Sequence, residues 1–178
     1  MDLTKYIYIN KNSLSQEISS EIIDLYNSDS KKEFNNKLIF DVFDNNNICK
    51  LLLKEIEKNV KNYTRHLNKN NVINLANFSE LKLEKMIIHM YHKNEIINEY
   101  KDEDVDNNTS KVISKLIFLW YLNDVEEGGE TEFWQGEYKI KPEVGKMVIF
   151  PACWTFPHCE KIPLSCDKYI LTGSLFSD

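Results

Sequence analysis

The chain has 178 residues, 42% of them hydrophobic, with a formal net charge of -6 and a pI near 5.3. That length buries one sizeable core and is short for two, so a single domain over 1–178 is expected. The acidic balance excludes broad attraction to nucleic acid, save through a local basic patch, and no apolar run reaches the ~18 residues a membrane-spanning helix needs.

At the N-terminus, Met1 to Ile9 carries one Lys and a short alternating apolar run, which is neither a signal peptide nor a membrane anchor. A soluble, cytoplasmic protein is expected. Its four cysteines, Cys49, Cys153, Cys159 and Cys166, show no CxxC spacing, so thiols are expected and a zinc site is not.

Residues 1–85 read as helical support with an opening strand at Tyr6-Ile7-Tyr8-Ile9. Ser13 followed by Gln16 has the form of a capping box, after which Ile18, Ile22, Ile23 and Tyr26 recur at helical spacing. A second helix is predicted over 48–67, with Leu51, Leu52, Ile56, Val60, Tyr63 and Leu67 on one face. From 86 onward the period shortens, with apolar runs at 86–91, 112–122, 131–134, 138–140, 147–150 and 169–176. Turn residues separate them at Glu126-Glu127-Gly128-Gly129 and Pro142-Glu143-Val144-Gly145, each predicting a tight connection between strands. The pattern is that of an α+β chain whose C-terminal half, 86–178, is a sandwich or jelly roll.

Chemistry is concentrated in that half. Trp120-Tyr121-Leu122-Asn123 is followed by Gly128-Gly129-Glu130-Thr131-Glu132-Phe133, then by Ile140-Lys141-Pro142-Glu143-Val144-Gly145, Phe150-Pro151, His158 and Lys168-Tyr169-Ile170. In order and spacing these blocks resemble the iron(II) and 2-oxoglutarate dependent dioxygenases, in their prolyl 4-hydroxylase-like branch. The resemblance covers about residues 86–176 and implies a double-stranded β-helix, or jelly roll, with Fe(II) and 2-oxoglutarate as cofactors.

Such enzymes hold iron on one face with two histidines and a carboxylate, leaving open positions for the keto acid and dioxygen. By the resemblance His158 is the late metal-ligating histidine. Lys168, ten residues on, is the cation for the distal carboxylate of 2-oxoglutarate, and Tyr121 donates its hydroxyl to that same carboxylate. Tyr91 faces the cosubstrate. Read from the residues alone, Lys168 is equally a solvated strand charge, and Tyr91 and Tyr121 are equally core aromatics.

The first metal ligand departs from the pattern. Counting on from Tyr91, the His-x-Asp unit falls on Tyr100-Lys101-Asp102, so the carboxylate is Asp102 and the histidine is replaced by Tyr100. Asn94 stands where a glycine is usual. His89 and His92 belong to the preceding strand and His66 to a helix, while Glu99, Asp102, Glu103 and Asp104 also read as an acidic solvated loop. A phenolate binds iron but favours Fe(III) over the Fe(II) from which a dioxygenase starts. Tyr100 therefore changes the chemistry, weakens the metal or marks a protein that has given up turnover.

Two functions follow. One is a dioxygenase hydroxylating a C–H bond of a prolyl or other peptidyl substrate, with metal at Tyr100, Asp102 and His158 and cosubstrate at Lys168, Tyr121 and Tyr91. The other is a degenerate module that binds a peptide or keto acid without turnover. An interaction protein outside the family is the third reading. A peptide or protein partner is expected first and a small molecule second, with segment 102–110 and the region of Trp154 choosing between them.

Overall fold

The computed structural model describes residues 2–28, 37–40, 47–69, 81–95 and 113–177. Its elements run β1 (Tyr8–Asn10), α1 (Gln16–Ser28), β2 (Lys37–Phe40), α2 (Asn47–Lys69), β3 (Lys82–Tyr91), β4 (Ile113–Tyr121), β5 (Thr131–Phe133), β6 (Tyr138–Ile140), β7 (Met147–Pro151), β8 (His158–Glu160) and β9 (Lys168–Ser177). Six strands form a major sheet in the order β1-β7-β4-β9-β3-β2 and three form a minor sheet in the order β6-β5-β8, with every pairing antiparallel. This is the α+β jelly-roll architecture expected. None of the described helices is long and apolar enough to cross a membrane.

Successive side chains on a strand point to opposite faces, and the major sheet uses both. Met86, Ile88, Leu116, Phe118, Trp120, Met147, Ile149 and Leu171 meet the apolar stripes of the helices. Those stripes are Ile22 and Tyr26 on α1, and Cys49, Leu52, Ile56, Val60 and Tyr63 on α2. Burying a side chain such as Leu52 or Ile56 contributes ~1.5–3 kcal/mol. The opposite face carries Leu119, Tyr121, Val148, Phe150 and Ile170, which pack with Phe133 and Ile140 of the minor sheet. The space between the sheets is the second core, and the candidate site opens within it.

Three local expectations change. The helix cap is Ser15, whose Oγ accepts from the Ile18 amide at 3.4 Å, and not Ser13. Ser13 is buried instead, its Oγ accepting from Asn59 Nδ2 at 2.9 Å and from Trp120 Nε1 at 2.9 Å. Within the predicted helical half, β2 adds a strand to the edge of the major sheet, pairing Lys37–Phe40 with Met86–His89 of β3. Both predicted turns exist, but each carries the chain from one sheet to the other: 122–130 links β4 to β5 and 141–146 links β6 to β7. Gly145 sits at φ 76, and a side chain there would strike the Leu14 carbonyl at 2.1 Å.

Candidate active site between the sheets

Pro157 has no amide hydrogen for a ladder, and the minor sheet's last strand starts immediately after it, at His158. In register, His158 lies opposite Phe133 and Glu160 opposite Thr131. Period-2 alternation then puts His158 and Glu160 on one face with Thr131 and Phe133, and Cys159 with Glu132 on the other. The His158 ring packs against Phe133, with centroids 5.6 Å apart, and against Phe150 at 4.7 Å. Its Nδ1 lies 3.1 Å from the Phe156 carbonyl, which can only accept, so Nδ1 carries the proton and Nε2 the lone pair of the neutral ring. A backbone carbonyl on one ring nitrogen is the usual way a protein orients a metal-binding imidazole.

Lys168 begins β9 and is fully buried. Its ammonium donates to the Gly129 carbonyl at 2.6 Å and forms an ion pair with the Glu160 carboxylate. The faces of Tyr91 and Tyr121 flank it, with Nζ 5.2 Å and 5.9 Å from their centroids. Gly129 is needed where it stands. Its φ is 74, and a Cβ would come 3.2 Å from Val125 Cγ1 and 3.3 Å from Lys168 Cδ.

The carboxylate of Glu160 is held from its other side by Thr131, whose Oγ1 lies 2.8 Å and 2.9 Å from its two oxygens. The Tyr121 hydroxyl donates in turn to Thr131 Oγ1 at 2.6 Å. Burial pushes the hydroxyls of both Tyr91 and Tyr121 well above the ordinary tyrosine value of 10, and the Glu160 charge adds to the shift. Both phenols are therefore neutral at physiological pH, and that of Tyr121 donates to Thr131.

Four of the six predicted site residues are thus placed. Tyr91 and Tyr121 flank the Lys168 ammonium, which pairs with the Glu160 carboxylate, and His158 shares a strand face with Glu160. The Tyr121 hydroxyl reaches the Glu160 carboxylate through Thr131 and not directly. Tyr100 and Asp102 lie outside the described residues, as does segment 102–110. Among the described residues no group of three or more His, Cys, Asp or Glu side chains comes together as a metal site. His89 is on β3 with Nε2 2.9 Å from Thr172 Oγ1, and His66 on α2 lies 2.9 Å from the Lys5 carbonyl. His92 follows β3 and pairs with Asp167 at 3.5 Å. Trp154, in the loop before β8, is 90% exposed.

Sequence reasoning missed Thr131 and Glu160. Thr131 stood inside the quoted Gly-Gly-Glu-Thr block, and Glu160 is two residues after His158, hence on the same strand face. That spacing could have pointed to it.

The cradle fits a carboxylate, because it already holds one. The Glu160 carboxylate lies between a buried cation on one side and a hydroxyl donor on the other.

A family model described as the 2OG-Fe(II) oxygenase superfamily matches residues 86–175. Among solved structures, the fold is similar to a viral collagen prolyl hydroxylase from Paramecium bursaria Chlorella virus-1 in complex with 2OG. That likeness has a TM-score of 0.70 and 18% identity, covering 97% of this chain and 96% of that one. It is also similar to a Pseudomonas putida prolyl-4-hydroxylase, with a TM-score of 0.62 and 12% identity, covering 97% of this chain and 93% of that one. A third is a Trichoplax adhaerens prolyl hydroxylase bound to a hypoxia inducible factor peptide fragment, with a TM-score of 0.61, 20% identity, and coverage of 97% and 84%. No curated protein sequence matches this chain.

Proposed function

Because the chain belongs to the 2OG-Fe(II) oxygenase superfamily, whose cofactors are Fe(II) and 2-oxoglutarate, we propose that it is a dioxygenase hydroxylating a C–H bond of a peptidyl substrate, with proline the first candidate. The observation that carries this reading is the buried Lys168 ammonium, ten residues after His158, set in a cradle that binds a carboxylate. A charge removed from water must be paired and hydrogen-bonded, and a keto acid's carboxylate would serve Lys168 as Glu160 does.

Each residue then has a role. His158 presents Nε2 to the metal, held in that tautomer by the Phe156 carbonyl. Asp102 and Tyr100 supply the remaining protein ligands. Lys168 binds the distal carboxylate of the keto acid, Thr131 donates to it, and Tyr121 orients Thr131. Tyr91 and Tyr121 wall the cation from water. When bound, the iron and keto acid supply dioxygen activation coupled to oxidative decarboxylation of 2-oxoglutarate to succinate. The prolyl hydroxylase folds to which this one is similar, one of them bound to a peptide, support a peptide substrate over a small molecule. The four cysteines, which show no CxxC spacing, support a cytoplasmic setting.

A second reading, a degenerate module that binds without turnover, is favoured by Glu160 on Lys168 and by Tyr100 at the histidine position. Loading with Fe(II) under anaerobic conditions, then admitting air with 2-oxoglutarate and a proline-containing peptide, separates the two. Succinate is the expected product. Absence of succinate together with absence of iron retention overturns the dioxygenase.

A further inference from the structure

Glu160 has no part in the reaction just proposed, yet its carboxylate takes the place where the cosubstrate's carboxylate belongs. Lys168 is fully buried and the Glu160 side chain is 13% exposed, so one positive and one negative charge balance in a nearly dry site. The ammonium of Lys168 has three donors, of which the Gly129 carbonyl takes one and Glu160 another. The other cations of the minor sheet are turned away: Lys139 and Lys161 pair with Glu132, which points to the sheet's opposite face. A second carboxylate at Lys168 would thus meet a cation already neutralised by Glu160 and would bring an unbalanced negative charge into a site of low dielectric. Glu160 and the keto acid's distal carboxylate exclude each other.

The location of Glu160 gives it a way out. Among the described residues it lies on β8, which pairs with β5 alone, and its side chain keeps some exposure, whereas Lys168 is fully buried at the start of β9, opposite Tyr91 of β3. Rotation of one side chain would vacate the cradle without moving the backbone.

We propose that Glu160 is an internal ligand of the cosubstrate pocket, a built-in competitor that a dicarboxylic keto acid must displace from Lys168 and Thr131. This rests on the reading of Lys168 as the cosubstrate anchor. The apparent affinity for 2-oxoglutarate is lowered by the fraction of molecules in which Glu160 is out.

Calorimetric titration of 2-oxoglutarate into the full chain tests this directly. Glu160→Ala should bind it at least tenfold more tightly than the parent, and Glu160→Ala combined with Lys168→Met should lose that gain. The melting temperature of Glu160→Ala should rise on adding 2-oxoglutarate or glutarate, and that of the parent far less. Equal affinity of parent and Glu160→Ala overturns the proposal. Should Glu160→Ala fail to fold, Glu160→Gln, which keeps the side chain's length and drops its charge, decides: a gain of about threefold or more supports the competitor and equal affinity removes it. Succinate release is read separately. Tighter binding with neither succinate nor iron retention in either chain keeps the internal competitor and removes the dioxygenase. Succinate from a parent whose affinity Glu160→Ala leaves unmoved does the reverse.

Discussion

The Nδ1 of His158 lies 3.1 Å from the carbonyl of Phe156, a bond that turns Nε2 toward the role of ligand and fixes the ring against Phe133 and Phe150. His158→Ala should abolish Fe(II) retention through gel filtration. The ring is only half-buried, so its loss should cost about 1–2 kcal/mol, a fall of roughly 2–8 °C in the melting temperature of the metal-free protein. Stoichiometric iron in the mutant would remove His158 from the site.

Lys168 and Glu160 form a buried pair, and removing one partner strands the other's charge. Lys168→Met should destabilise by about 3 kcal/mol or more, while Lys168→Met with Glu160→Leu should recover most of that loss. Urea denaturation of the two single variants and the double variant measures the coupling. Additive effects would show that the two charges do not depend on each other.

Ser13 joins the outer core to the helices. Its hydroxyl accepts from Asn59 Nδ2 and Trp120 Nε1, both at 2.9 Å and both buried. Asn59 keeps a second bond to the Glu55 carbonyl at 2.7 Å, so Trp120 loses more. Ser13→Ala should cost about 1–3 kcal/mol through the buried donors it leaves unpaired. A cost no larger than that of Ser15→Ala at the helix cap would contradict this.

Glu132 lies outside the cradle, on the opposite face of β5. The bond from Lys139 holds its carboxyl below its ordinary value of 4.5, burial opposes this, and Lys161 adds to the lowering. The folded chain then binds fewer protons there than the unfolded chain does, so stability rises with pH through that window. The contribution is complete above about pH 4.5 and is lost as pH falls through the lowered folded value. Melting curves of the parent and Glu132→Gln should therefore differ at neutral pH and converge in acid. A gap that stayed constant down to acid pH would assign the difference to something other than this charge.

The proposed assignment of Tyr100 to the position of the first histidine ligand has its own test. Iron loading in air should produce a phenolate-to-Fe(III) charge-transfer band that Tyr100→Phe bleaches. Tyr100→His should raise Fe(II) affinity by restoring two imidazoles and a carboxylate. A parent that stays colourless, together with unchanged Fe(II) affinity in Tyr100→His, would take Tyr100 out of the metal site.

By itself the sequence determined the strand-rich half, both helical stripes and the candidates His158 and Lys168. These are local properties: a period of two or of 3.6, a proline before a strand, and a fixed spacing between motif residues. The short strand Lys37–Phe40 was not legible, because it depends on β3, far along the chain, for its bonds. Nor was the true place of Ser13, whose partners Asn59 and Trp120 lie far along the chain. Tertiary structure alone decided what Lys168 holds. Alternation places Glu160 on the face of His158, but it cannot say that this face looks across the second core at β9. Only the packing of the minor sheet on the major one brings the Glu160 carboxylate to the buried Lys168 ammonium, where low dielectric leaves each charge no better partner than the other.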